Sequence, residues 1–148
     1  MGKVLELGIC KNPGEPIMAL DEITVISGEG VQNDRHCRKN NGDRTQITLI
    51  ESEKIDLYNN SSKTSIPYLG FRRNIVTKDI SLNELVGKEI LVGKIRLKVN
   101  DLCEPCLHLQ QILNQKNFAK KMLHQTGVRC EIINDGKISK GDEIKVIT

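Results

Sequence analysis

Glu89-Ile-Leu-Val-Gly-Lys-Ile-Arg-Leu-Lys-Val99 decides the fold. Ile90 and Val92 alternate on one side of Gly93-Lys94, and Ile95, Leu97 and Val99 alternate on the other. Strict alternation on both sides of a glycine-bearing turn is a hairpin pattern. Outward from it the chain keeps to short apolar runs. Lys3 to Cys10 reads as a strand ending at the turn-prone Asn12-Pro13-Gly14, and Ile17 to Ile26 as a second strand or broken ribbon. Thr45 to Ile50 and Phe71 to Lys78 read as further strands. Val128 to Ile133, Asn134-Asp135-Gly136 and Ile144 to Ile147 read as a terminal hairpin.

Helices enter between the strands. Glu51 to Asn59 carries Ile55 and Tyr58 three apart and reads as a short helix, followed by a polar loop from Asn60 to Pro67. Ser81-Leu-Asn-Glu84 has the capping-box pattern. Leu109, Ile112 and Leu113 predict a helix over Pro105 to Asn114, and Phe118 with Met122 an amphipathic stretch from Asn117 to His124. There is no strand–helix alternation of the doubly wound kind. The expectation is one domain over 1–148, mainly β with inserted short helices, closed into a barrel or barrel-like sheet.

Composition narrows the function classes. The chain has 148 residues with 38% hydrophobic and 28% charged, which suits a globular domain and excludes a disordered or fibrous chain. Net charge is +3 and aromatics are 3%, so neither the field nor the stacking platforms of a nucleic-acid binder are present. No apolar run reaches the roughly 18–20 residues of a membrane helix. Met1-Gly-Lys-Val-Leu-Glu-Leu lacks a signal-peptide layout, so the expected location is cytoplasmic. Five cysteines in such a chain argue against a disulfide framework.

Two of those cysteines sit in Asp101-Leu-Cys-Glu-Pro-Cys-Leu-His108. Pro105 suits a first helical turn, and Cys106 would then lie inside that turn, where free N–H groups favour a thiolate. A thiolate is nucleophile, metal ligand and sulfur carrier. The C-x-x-C spacing leaves a redox pair, a zinc site drawing on His36, Cys37, His108, His124 or Cys130, and a plain packed cysteine all open. A second cluster is the polar loop from Ser27 to Arg44. Its glycines allow close approach of backbone to a ligand. Arg35, Arg38 and Arg44 can bind phosphate, and Asp34 and His36 can orient one another or move a proton. A third is Phe71-Arg72-Arg73-Asn74-Ile75. On a strand only one of Arg72 and Arg73 faces a given pocket, with Asn74 on the side of Arg72.

In order along the chain, four segments resemble the MOSC domain, the C-terminal domain of molybdenum cofactor sulfurases, in its small stand-alone form. They are the Asp34-x-His36 loop from Gly30, Arg44-Thr-Gln-Ile-Thr-Leu49, Leu85 to Gly93 leading to Glu104-Pro-Cys106, and Thr126-Gly-Val-Arg with Gly136-Lys-Ile-Ser-Lys-Gly-Asp142. The resemblance spans about residues 2–147 and implies a MOSC-type β-barrel related to the pyruvate kinase barrel. It implies that Cys106 matches the family's characteristic cysteine, which carries sulfane sulfur as a persulfide or ligates molybdenum.

On that resemblance Cys106, His36 and Asp34 would do the chemistry. Arg35, Arg44, Gln46, Arg72, Arg73 and Asn74 would hold a molybdenum cofactor (molybdopterin), with Cys106 the metal ligand. The work would be sulfur transfer or cofactor-dependent reduction. Partners would be a cysteine desulfurase as a separate chain or a molybdoenzyme, with no nucleic acid and no membrane. No covalent pyridoxal phosphate is expected, since no lysine sits in a recognisable site for it. The alternatives are a non-catalytic cofactor or metal carrier and a structural zinc domain. Three features depart from the family pattern. Asn33 replaces the usual glycine before the loop aspartate, Arg72-Arg73 stands where Gly-Glu is common, and Cys103 is an additional thiol.

Overall fold

A computed structural model describes residues 1–42 and 45–147. The strands are β1 (Gly2–Ile9), β2 (Met18–Leu20), β3 (Glu22–Ile26), β4 (Gly30–Val31), β5 (Ile47–Glu51), β6 (Ile75–Lys78), β7 (Glu89–Val92), β8 (Ile95–Leu102), β9 (Val128–Ile132), β10 (Gly136–Ser139) and β11 (Glu143–Val146). The helices are α1 (Ser52–Ser62), α2 (Leu107–Leu113) and α3 (Phe118–Lys121). The barrel follows the order β11-β7-β8-β9-β5-β6-β1 and closes where β1 pairs with β11. The fold is therefore mainly β, a seven-strand mixed barrel with three short helices. β5 and β6 are its parallel pair. A small sheet, β10-β3-β4, sits outside the ring.

The hairpin at 89–99 forms as read, Ile90 facing Leu97 and Val92 facing Ile95. Inward side chains such as Leu7, Leu49, Ile75, Val99 and Cys130 fill the barrel. β5 and β6 are buried on both faces, because their outward residues Ile50 and Val76 belong to a second core. That core lies under the helices and gathers Tyr58, Phe71, Leu109, Phe118 and Met122. The rings of Tyr58 and Phe118 meet edge-on at 5.1 Å, and Phe71 closes the group 5.5 Å from Phe118. Leu109 anchors α2, the helix that follows Cys106, into this cluster.

Several expectations from sequence are corrected. The terminal hairpin does not form. β9 pairs with β8 and β5, and β11 pairs with β7 and β1. The Asn134 side chain is drawn back to the 94–96 turn, accepting from the Arg96 N–H at 2.7 Å and donating to the Lys94 carbonyl at 3.2 Å. The chain therefore leaves for β3 rather than folding onto β9. Helix α1 runs past Asn59 to Ser62 before Lys63 ends it in the left-handed region. Ser81 makes no side-chain cap, and only a 3-10 turn over Leu82–Leu85 follows it. The strand expected over Phe71 to Lys78 starts at Ile75, because a 3-10 turn over Tyr68–Phe71 ends at Arg72 with φ 63°.

Gly127 is the tightest backbone approach. Its φ is +92°, and an added Cβ would lie 1.8 Å from the Leu49 carbonyl oxygen of β5. Gly127→Ala should cost at least about 3 kcal/mol, combining a backbone conformation reserved for glycine with displacement of a packed strand. Urea unfolding of the variant beside wild type measures it.

Candidate functional site

Outward residues of β5 and β9, the end of β1, the 72–74 segment and α2 enclose a cavity of about 400 Å³. That volume suits a small-molecule cofactor or substrate. Thr48 and Arg129 face each other across β5 and β9 and both line it. Asp34, Arg35 and His36 line it from the loop, and Cys103, Cys106 and His108 from the segment before and into α2.

Asn74 fixes the wall. Its Nδ2 donates to the Gly8 carbonyl at 3.1 Å, and its Oδ1 accepts from the Thr48 N–H at 3.1 Å. Both ends of its amide therefore brace β1 against β5. Gln46 acts alike, donating to the Asn41 carbonyl at 3.1 Å and accepting from the Ile132 N–H at 2.9 Å. These two residues line the cavity with amides already committed to backbone.

The two arginines do not alternate as strand residues would. Positive φ at Arg72 swings its side chain back toward β1, so both guanidiniums reach the cavity. Arg72 donates to the Glu15 carbonyl at 2.9 Å and to the Cys10 sulfur at 3.3 Å. Arg73 donates in the other direction, to the carbonyls of Thr126 at 2.9 Å and Cys103 at 3.2 Å. Burial pushes the Arg73 guanidinium below its ordinary value, against the opposing pull of the Cys103 and Cys106 sulfurs.

Cys106 is the residue before α2, with φ −116° and ψ 166°, so it lies outside the helical turn and Pro105 lies one position earlier still. Glu104, preceding a proline, favours extended backbone that keeps the helix from starting sooner. The Cys106 sulfur accepts from the Leu109 N–H at 3.3 Å, taking the cap position usually held by an oxygen. Cys106 is the exposed cysteine, and Cys10 and Cys130 are buried. Burial drives the Cys130 thiol far above its usual range, and Cys37 is also raised, by burial and then by Glu29 and Asp34. Among the described residues no three His, Cys, Asp or Glu converge on a metal position, so the zinc alternative has no ligand set there.

On the loop, Asn33 takes the left-handed conformation that its replacement of glycine requires, with φ 71°. Asp34 and His36 do orient one another, with Nδ1 3.2 Å from Oδ2. Asp34 also accepts from the Cys10 N–H at 2.8 Å. Arg35 is tied by its N–H to the Cys10 carbonyl at 2.8 Å, which leaves its side chain exposed at the rim. Arg44 lies outside the described residues. Arg129 was not singled out from sequence. Its signals there are its place at the end of the Thr126-Gly-Val-Arg segment and its alternation with the buried Val128 and Cys130.

The site thus combines an accessible thiol, arginines at two ends of one cavity and an oriented Asp–His pair. These features define a barrel protein with a cysteine and arginines around one cavity. The MOSC domain family model matches residues 36–145, and the chain belongs to that family, which is associated with the molybdenum cofactor. No curated protein matches the chain by sequence. Among solved structures, YUAD from Bacillus subtilis superposes with a TM-score of 0.85 at 19% identity, covering 99% of this chain and 96% of that one. YiiM from Geobacillus stearothermophilus gives 0.83 at 12%, covering 100% and 76%. YiiM from Escherichia coli gives 0.75 at 16%, covering 100% and 70%. No helix among the described residues is long and apolar enough to cross a membrane.

Asp34 gives the site a measurable acid limit. Burial raises its pKa, but the hydrogen bonds from the His36 side chain, the Cys10 N–H and the His36 N–H, together with the His36 charge, outweigh it and leave the pKa lowered. A lowered carboxylate contributes stability that is complete above the unfolded value of about 3.9 and is lost as pH falls through the folded value. Asp34→Asn should therefore flatten the acid side of the stability–pH curve. Thermal unfolding from pH 7 down to pH 2.5 shows whether it does.

Proposed function

We propose that the chain, acting over 1–148 as one MOSC domain, binds a molybdenum–pterin cofactor in this cavity with Cys106 as ligand to the metal. The function is reduction of a small molecule. The observation that carries the reading is the exposed Cys106 sulfur opening onto a cavity of about 400 Å³ that also receives Arg72 and Arg73. A thiol that only passed sulfur between proteins would not need an enclosed, arginine-lined space.

The donor set fits such a group. Thiolate suits molybdenum, and guanidiniums suit a phosphate ester through paired hydrogen bonds. Bound there, the cofactor would supply a metal centre that exchanges electrons and oxygen with a substrate. Arg72 and Arg35 surround the Cys10 end and would take the phosphate, with Arg44 as a further candidate from the same loop. Gln46 and Asn74 hold the wall that shapes the space. His36, oriented by Asp34, can deliver or accept a proton at the rim.

A second reading draws on the exposure of Cys106, which lets another protein's sulfur reach it. The Cys106 thiolate would attack the terminal sulfur of a cysteine desulfurase persulfide. A new S–S bond forms at Cys106, the donor's S–S bond breaks, and the donor leaves as a thiolate with no net redox change.

Native mass spectrometry of protein purified anaerobically from molybdate-supplied cells separates the two. A mass increment matching a molybdenum–pterin, lost in Cys106→Ser, is expected. A single added sulfur, removed by thiol reductant, would replace the cofactor reading with the carrier reading. A bare mass in wild type would contradict both.

A further inference from the structure

Arg129 has a feature that phosphate binding at the Cys10 end does not use. Its Nε is buried without a hydrogen-bond partner, and its guanidinium lines the cavity. Asp101 stands opposite it across β8 and β9, yet an Oδ1 of Asp101 is itself buried without a partner and Asp101 is not part of the cavity lining. No ion pair within 4.0 Å joins Arg129 to a carboxylate among the described residues. A buried Nε–H left without an acceptor is unfavourable, and an anion entering from the cavity removes that cost.

The neighbour of Arg129 strengthens the point. Arg73 feels its charge repulsively and lies close enough to Cys103 and Cys106 to feel theirs. Arg73 is held by the Cys103 and Thr126 carbonyls, which carry partial negative charge but do not neutralise it. The cavity therefore has two cationic ends. Arg72 and Arg35 gather around Cys10, and Arg73 and Arg129 stand beside the thiols.

We infer that Arg129, with Arg73, forms an anion subsite beside Cys106, and that the molecule brought to this thiol end is an oxyanion or a carboxylate. The inference rests on Cys106 being the reacting thiol. It adds a substrate class to the proposed function, because the phosphate of the cofactor is taken at the other end. Planar paired donors fit a planar carboxylate or the face of an oxyanion.

Two alkylating probes of similar size test it without cofactor. The full chain, purified reduced from molybdate-free cultures, is treated with iodoacetate, which is anionic, or iodoacetamide, which is neutral. Modification at Cys106 is followed by peptide mass. Relative to a free cysteine peptide, wild type should favour iodoacetate about tenfold, from a guanidinium that lines the same cavity as the thiol. Arg129→Gln should return the ratio close to that of the peptide, and Arg129→Lys should keep most of it. Inorganic sulfate should compete with iodoacetate and spare iodoacetamide. Arg96→Gln, on the outer barrel surface, controls for net charge and should leave the ratio as in wild type.

A wild-type ratio equal to the peptide's, or an unchanged ratio in folded Arg129→Gln, would overturn the inference while the mass increment of the cofactor stands. If Arg129→Gln fails to fold, Arg129→Lys and sulfate competition decide. Loss of the preference in Arg129→Lys together with no competition by sulfate also overturns it. An iodoacetate preference that sulfate abolishes, in protein that never retains a cofactor, would uphold the subsite and remove only the cofactor reading.

Discussion

The site depends on one asparagine. Asn74 sits where the chain passes from the 3-10 turn at Phe71 into β6, and its amide joins Gly8 of β1 to Thr48 of β5. Its own N–H donates to the Thr48 hydroxyl at 3.0 Å, and that hydroxyl lies 3.3 Å from the Asn74 Oδ1. Each polar group of Asn74 is thus satisfied where three strands meet, which a wall facing a ligand requires. The knot leaves Arg72 in a left-handed conformation and sends Arg72 and Arg73 in opposite directions. One short segment therefore supplies both cationic ends of the cavity.

Packing sets the thiol against that wall. The second core, built from the outward faces of β5 and β6, seats α2 through Leu109 and the aromatic group of Tyr58, Phe71 and Phe118. Phe71 belongs to this core and precedes Arg72 directly, so helix placement and arginine placement share one hydrophobic cluster. Cys106 then occupies the junction between the barrel segment and α2. Its sulfur replaces the usual capping oxygen, which binds its position to the start of the helix. Burying a side chain such as Leu109 contributes about 1.5–3 kcal/mol, enough to hold a two-turn helix that would not persist alone.

Much of this was legible in the sequence, and the unread parts have physical causes. The 89–99 hairpin followed from alternation, because both strands bury one face in the barrel. The loop from Ser27 to Arg44 declared itself by composition, and the Asp34–His36 pair by spacing. The orientation of Arg72 and Arg73 was not legible, since a non-glycine residue at positive φ leaves little local signal and the period-two rule then misleads. The Asn-Asp-Gly turn near the end points to a hairpin locally, yet the Asn134 side chain is used by a turn about forty residues earlier in the chain. Arg129 was quoted only within the Thr126-Gly-Val-Arg segment, because an arginine on a strand reads as solvent-facing until the cavity it lines is known.

Molybdenum K-edge absorption on anaerobically loaded protein tests the central claim most directly, that the Cys106 sulfur is a ligand held at this cavity. Wild type should show one more sulfur scatterer around molybdenum than the free cofactor does. The same sulfur count in both would contradict the account.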